Sequence, residues 1–416
     1  MRTVIIGTGP AGITAAEVLR RHDPDADLVL VTTEHEPPYS PPAMADHFLT
    51  GRRAGLFWKG EDVCERWGAT ELRGVQAVSV DTRAHEVALS DGRSLDYDSL
   101  LIASGSRLHA SLPGNELSGI HDFKSLDAAR RILGGVRDGR VRRVLVVGSG
   151  FIGVELALLL SDLGVHVTVL GRRGWVMPRV LDPDTAAVAE RAIRARGVHL
   201  MLGVPASAFV GDETVEGVEL ADGTTLRADA FVAATGVKPH IEFLHDSDVA
   251  TDWGVLVDDR MRTTAPDVYA AGDVAEASDR MTGNRYVHAI FPNAVAQATV
   301  AALNILDRDT AYAGAESMNS LKHLGIPLVS IGDMEGEDRL QWRSGDALRT
   351  VWLTDGRIVG ARLAGEISGA GVYRSLMLRR DDVRRFGRRL VEPSFGSGDL
   401  ALTALMPDLA RSARVA

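Results

Sequence analysis

Short apolar, β-branched runs that stop at glycine recur along the chain. Thr3-Val-Ile-Ile6 is followed by Gly7-Thr-Gly9-Pro10-Ala11-Gly12, then by a helical spacing of apolar positions over Ile13–Arg20 that ends near His22-Asp-Pro24, and then by a second buried-type strand, Leu28–Val31. Strand, glycine turn, helix and strand within about thirty residues is the βαβ unit of a dinucleotide fold. The same order returns in Val144-Leu-Val-Val147, Gly148-Ser-Gly150-Phe151-Ile152-Gly153, a helix over Val154–Leu163 and a strand over Val165–Leu170. After each copy come alternating strands with a hairpin signal, Asp91-Gly92 behind Val75–Val80 and Glu86–Leu89, and Asp222-Gly223 in the second half. The halves read as internal repeats, and two copies imply two nucleotide sites. Two further apolar strands stop at glycine, Ala230–Gly236 and Asp267–Asp273. From about residue 315 the character changes to strands at Leu328–Ile331, Leu348–Leu353 and Ile358–Leu363, a separate α+β unit.

At 416 residues the chain needs two or three hydrophobic cores. With 45% hydrophobic and 25% charged residues it has the balance of a soluble globular protein. The net charge of −10 argues against a nucleic-acid partner. Nothing approaches the ~18 apolar residues of a membrane span. Met1-Arg2-Thr3 runs directly into the first strand without a signal peptide, so the expected compartment is the cytoplasm. Cys64 is the only cysteine, which excludes a redox dithiol. Among 46 basic residues only Lys59, Lys124, Lys238 and Lys322 are lysine, which we read as codon bias toward arginine.

In each glycine cluster the first glycine allows the turn, the second lets a pyrophosphate approach the backbone and the third lets helix and strand pack closely. Unpaired N–H groups and the positive dipole end at the helix start hold the anion. An acid at the end of the second strand normally binds the adenosine ribose. In the first unit the candidate is Glu34, two residues beyond the expected spacing, with a solvated loop acid as the competing reading. In the second unit that place holds Gly171-Arg172-Arg173, which suits the extra phosphate of NADPH over NADH, with ordinary surface arginines as the alternative.

Taken in order, the two fingerprints, Glu155 after the second, Ala103-Ser104-Gly105, Ala234-Thr235-Gly236 and Thr264-Ala-Pro-Asp-Val-Tyr-Ala-Ala-Gly272-Asp273 resemble the FAD-dependent pyridine nucleotide reductases. The resemblance is to the branch without a redox disulfide, which includes ferredoxin reductases, rubredoxin reductases and nitrite-reductase-associated flavoproteins, and it covers roughly residues 1–310. It implies an α/β fold with two Rossmann-like dinucleotide-binding domains: an FAD domain, 1–115 and 240–314, split around an NAD(P)H domain, 116–239. A smaller α+β domain, 315–416, follows. It implies FAD contacts at Gly7, Gly9, Pro10, Ala11, Gly12, Glu34, Ala77 beside the adenine, Ser104, Gly105, Gly272 and Asp273, and at Phe291-Pro292-Asn293-Ala294 under the flavin ring. NADPH, or NADH, would meet Gly148, Gly150, Phe151, Ile152, Gly153, Arg172, Arg173 and Gly236.

Relatives with a reactive cysteine carry it in a Tyr-Ser-Pro-Cys segment, where this chain has Tyr39-Ser40-Pro41-Pro42. Cys64, flanked by acids, is expected to be an inert thiol. The branch pairs a glutamate, here Glu155, with a lysine near flavin N5, but a gapless match puts Asp46 there. Either the alignment slips or another cation, such as Lys59, approaches; Glu155 and Asp46 stand as the catalytic candidates, and no metal is expected. The implied activity is hydride transfer from NAD(P)H to flavin N5, then electron delivery to a ferredoxin- or rubredoxin-like protein. An oxygen-using flavin oxidase or monooxygenase and a flavin redox sensor are the alternatives. Arg374, Arg379, Arg380, Arg384, Arg385, Arg388 and Arg389 would form either a docking face for an acidic partner or a solvated helix face or oligomer contact, and the C-terminal sheet could support a homodimer.

Overall fold

The computed structural model describes residues 1–53, 55–321 and 324–405; Lys322 and residues 406–416, the end of the expected C-terminal domain, lie outside the described residues. The helices in chain order are α1 (Pro10–His22), α2 (Met44–Thr50), α3 (Val63–Arg66), α4 (Leu126–Arg137), α5 (Phe151–Asp162), α6 (Pro183–Ala195), α7 (Phe291–Ile305), α8 (Ala370–Arg379) and α9 (Ser397–Leu405). The chain forms two compact units. One contains Met1–Gly148, Asp162–Val165 and Ala206–Glu316; the other contains Ser149–Ser161, His166–Pro205 and the described residues from Ser317 onward. No described helix is long and apolar enough to cross a membrane.

In the first unit, β1 (Arg2–Ile6) and β2 (Asp27–Thr32) lie parallel, in register from Arg2 opposite Asp27 to Ile6 opposite Val31. The whole sheet is parallel, in the order Val268–Ala270, Ser99–Ile102, β1, β2, Thr70–Arg73. Strands covered on both faces read as unbroken apolar runs, and Val4, Ile5, Leu30, Leu100 and Ile102 are fully buried. α1 starts at Pro10, before the apolar spacing begins, because proline at the first helical position gives up an N–H that has no partner there anyway. Its buried Ala15, Ala16 and Leu19 belong to the same core as Ala298, Ala301 and Ala302 of α7, against which α1 packs.

The predicted hairpins share one atomic plan. Leu89 N–H donates to Arg93 O and Leu220 N–H to Thr224 O, each at 2.8 Å. Asp91 and Asp222 each accept the backbone N–H two residues on, and Gly92 and Gly223 take φ near +85°. The internal repeat thus extends to the turns.

In the second unit, His166–Gly171 and His199–Leu202 pair in parallel. A five-stranded antiparallel sheet follows, ordered Met318–Leu321, Leu328–Gly332, Arg357–Ala364, Ala347–Thr354, Asp338–Ser344. The outermost strand, Asp338–Ser344, escapes the hydrophobic pattern because it is an edge whose residues are mostly exposed. This sheet is fastened to the segment around α6: Ser330 Oγ donates to Val180 O at 2.8 Å, Arg339 pairs with Asp182 at 3.1 Å and with Asp184, and Arg191 pairs with Asp346 at 2.6 Å. Arg349, fully buried, donates to Glu392 O and Ser368 O at 2.9 Å and pairs with Glu366, pinning the residues after α8 to the sheet.

Candidate nucleotide and electron-transfer site

Each leading glycine is held where no side chain fits. Gly7 has φ +111°, and a Cβ on it would lie 2.1 Å from Ala103 O; Gly148 has φ +123°, with Ala234 O at 2.2 Å. Both glycines therefore press on the first carbonyl of a crossing tripeptide, Ala103-Ser104-Gly105 or Ala234-Thr235-Gly236. Around those crossings Ser106–His109 pairs antiparallel with Gly236–Pro239, and Ser104 Oγ donates to His240 O at 2.8 Å. Gly9 differs: it caps α1 without a side-chain hydrogen bond, no acid occupies the first turn, and nothing lies within 4 Å of an added Cβ. That open cradle over the uncapped helix start, bordered by Pro10, Ala11 and Gly12, is what a pyrophosphate requires.

At the ends of the strands that follow, the two halves diverge. Glu34, partly buried just past β2, accepts the Tyr39 hydroxyl at 2.8 and 2.6 Å, one contact to each oxygen. Burial pushes its carboxyl up to about 7 despite that hydrogen bond. In the second half the strand His166–Gly171 ends on a glycine whose Cβ would sit 2.7 Å from Ser149 Oγ and from a Leu202 methyl, so a ribose-binding acid at that position would require both side chains to shift. Arg172 and Arg173 follow with exposed side chains and no carboxylate partner among the described residues, while Arg173 O accepts Gly203 N–H at 2.9 Å and braces the turn.

Phe291, Pro292, Asn293 and Ala294 form the start of α7. This helix has no side-chain cap and no acid in its first turn, leaving its N–H groups and dipole available. Phe291 meets Trp58 edge-on, ring centres 5.3 Å apart. Gly272 N–H donates to buried Gln297 Oε1 at 2.8 Å. The Asn293 amide is occupied on both sides by the Glu316 backbone, at 3.1 Å each, which leaves the backbone rather than the side chain of Asn293 for a ligand. Ala294 is buried, and Ala77 pairs with Leu89 at the edge of the hairpin sheet. Asp273 is paired: Lys124 Nζ meets its carboxylate, and Ser106 Oγ donates to the same oxygen at 3.2 Å.

Lys124, Tyr39 and Gln297 contact the candidates Asp273, Glu34 and Gly272, and the sequence reading does not name them. A signal existed for Lys124, a lysine kept in a chain that otherwise uses arginine. Tyr39 drew notice only as the start of the segment ending at Pro42, and Gln297 is a polar residue on the buried face of an apolar helix.

The other candidates are placed as follows. Glu155 lies on α5, after Gly150, Phe151, Ile152 and Gly153 have begun the helix, and burial alone lifts its carboxyl from the ordinary 4.5 to about 7. Asp46, on the short α2, is half-buried. Lys59, the alternative cation, is already engaged: it pairs with Glu17 of α1 at 2.8 Å and lies 4.6 Å from the centre of the Trp58 ring. Cys64 is buried in α3, and burial followed by the charge of Glu71 pushes its thiol up to about 12. It is an inert thiol at neutral pH.

The arginine run is not one helix face. α8 ends at Arg379, Arg380 turns left-handed at φ +57°, and the following 3₁₀ segment kinks at Gly387. Arg379 pairs with Asp381, Arg384 with Asp382, and Arg389 with Glu392 and Asp399. Arg380, Arg385 and Arg388 are exposed and have no carboxylate partner among the described residues.

The residues present fit FAD: an open cradle at an uncapped helix for the pyrophosphate, a carboxylate past β2 for a ribose diol, and a second uncapped helix for the ring. Residues 1–302 match the family model described as pyridine nucleotide-disulphide oxidoreductase, and the chain belongs to that family. It is an enzyme of the FAD-dependent, NAD(P)H-using kind. It is 30% identical over 399 residues to the NADH-dependent phenylglyoxylate dehydrogenase subunit epsilon of Aromatoleum evansii, covering 93% of this chain and 94% of that one. The ferredoxin reductase component of chlorobenzene dioxygenase from a Cupriavidus species is 31% identical over 85% of this chain and 87% of its own length. Among solved structures, the covalent putidaredoxin reductase–putidaredoxin complex superposes with a TM-score of 0.81 at 26% identity, over 92% of this chain and 94% of that chain.

Proposed function

We propose that the enzyme oxidises NADPH at bound FAD and delivers electrons to an iron–sulfur protein of the ferredoxin or rubredoxin type, in the cytoplasm. The observation that carries this is the lack of any cysteine route: Pro42 stands where relatives hold a reactive cysteine, and Cys64 is buried with its thiol pushed up to about 12. FAD supplies the chemistry, since it takes a hydride from a nicotinamide and releases electrons singly.

The protein's part is to hold and orient. Residues 1–115 and 240–314 would hold FAD, with the backbone at Gly7, Gly9 and Gly12 around the pyrophosphate, Glu34 on the ribose, Asp273 beside Lys124, and the α7 start opposing negative charge at the ring. Residues 116–239 would hold NADPH, with Arg172 and Arg173 on its 2′-phosphate. Glu155 and Asp46 are the titratable groups we assign to the reaction, each in its own unit, and residues 315–416 the region that meets the partner. The arginine pair is the ground for assigning NADPH rather than NADH.

Stopped-flow reduction of the purified holoenzyme by NADPH and by NADH, followed by ferredoxin, rubredoxin, quinone and oxygen as acceptors, tests the reading. Flavin bleaching should be faster with NADPH and reoxidation fastest with an iron–sulfur protein. Oxygen uptake matching NADPH use with no other acceptor would replace it with an oxidase. Exchanging Arg172→Glu with Arg173→Ala should raise KM for NADPH about tenfold or more, the loss of a charge-assisted contact, and barely change KM for NADH. Equal effects on both would remove the arginines from the 2′-phosphate.

A further inference from the structure

The Tyr39 phenol is a node that the nucleotide-binding pattern does not call for. It donates to Glu34 at 2.8 and 2.6 Å, and its oxygen accepts the Leu126 N–H, the first of α4, at 3.1 Å. The ring is buried in a small cluster with Met44, Leu56, Phe57 and Leu126, so the hydroxyl has little freedom to turn elsewhere. The loop between the two residues is also fixed by Arg130 of α4, which pairs with Glu36. We infer that Tyr39 is a positioning residue that holds the Glu34 carboxylate in place, and in its charged form, for the adenosine ribose of FAD; the inference rests on the FAD assignment above.

The charge environment makes such a device necessary. The groups facing Glu34 are acidic: Glu36 of its own loop, and Asp122 and Asp127 on either side of the α4 start. Arg130 is taken by Glu36, and Arg73 on the neighbouring strand by Glu71. Both arginines are thus engaged by other acids, and the Tyr39 hydroxyl is the contact that favours the ionised carboxyl. Ribose hydroxyls donate hydrogen bonds and so bind the carboxylate better than the carboxylic acid, which means that FAD binding releases a proton from Glu34.

The test is FAD affinity. FAD is stripped from the holoenzyme, and the chain is titrated with FAD by flavin fluorescence from pH 6 to 8.5. In the wild type, affinity should rise with pH through a midpoint near 7, where burial places the free carboxyl. Tyr39→Phe should move that midpoint to higher pH and weaken FAD binding about tenfold at pH 7, the loss of one hydrogen bond to a charged group. Glu34→Gln, which keeps the shape, should flatten the pH dependence and leave the Tyr39→Phe exchange without further effect on it. A loss of packing alone would lower affinity equally at every pH, so an unmoved midpoint in Tyr39→Phe overturns the inference. A pH dependence that survives Glu34→Gln also overturns it. A wild-type chain that binds no FAD overturns the functional reading itself, and the two failures are thereby told apart.

Discussion

Glu155 and Glu34 both sit near 7, but for Glu155 burial acts without any opposing hydrogen bond, and its cost can be measured directly. A carboxyl whose folded value is raised from 4.5 to about 7 binds its proton more tightly in the native state. Below about pH 4.5 both states hold the proton and there is no cost. Between there and 7 the unfolded chain loses its proton first, so stability falls as pH rises, and the penalty is complete above 7. Glu155→Gln should therefore be more stable than the wild type by about 1–3 kcal/mol at pH 8 and equal to it near pH 4.5. Urea unfolding at the two pH values checks this; the same gain at both would mean that packing, not charge, governs the position.

At the scale of the elements, the turn before α1 separates two kinds of glycine. Gly7→Ala would place a Cβ 2.1 Å from Ala103 O at φ +111° and should cost about 1–3 kcal/mol from the backbone strain alone. Gly9→Ala meets nothing within 4 Å and has an ordinary φ of −69°, so the fold should keep its melting temperature. Its methyl would occupy the cradle, however, and FAD affinity should drop about tenfold or more. Melting curves of the stripped chain together with FAD titrations separate the two; a Gly9→Ala chain with wild-type affinity would remove the pyrophosphate from this turn.

The same contrast explains what was legible in the sequence. The two βαβ units, the hairpins and three of the C-terminal strands could be read because they are local: period, turn residue and glycine geometry act within a few positions. Lys124 and Asp273 meet across 149 positions, Tyr39 and Leu126 across 87, and Gly272 and Gln297 across 25. No spacing rule reaches that far, so the rarity of lysine in this chain is the one sequence signal Lys124 carries, and it names no partner. The arginine run shows the limit of composition: a run of arginines suggests one continuous face, while the left-handed Arg380 and the bend at Gly387 interrupt the helix that would carry it.

For the whole molecule, a net charge of −10 works against meeting an acidic partner, so any steering must come from local patches. Within the expected patch Arg379, Arg384 and Arg389 are already paired with neighbouring acids. Replacing Arg385 and Arg388 with glutamine should raise KM for an acidic ferredoxin severalfold at low salt and make little difference above about 0.5 M, where screening is short-ranged. Replacing Arg384, which already pairs with Asp382, should change KM much less. Initial rates across a salt series decide it; if the Arg385 and Arg388 exchange leaves the low-salt KM unchanged, the partner docks elsewhere.

The attachment of the C-terminal sheet to the stretch around α6 also bears on inheritance. A stretch that follows the family-matched residues 1–302 looks like a cassette that recombination could exchange on its own. Here a crossover at residue 315 would import a foreign sheet without the Arg339, Ser330 and Asp346 that answer Asp182 and Asp184, Val180 and Arg191, and would leave Asp182, almost wholly buried, without its counter-ion. The smallest heritable piece is the sheet together with residues 166–205, so on the proposed assignments a lineage changing its acceptor by gene shuffling would carry its choice of nicotinamide coenzyme along with it.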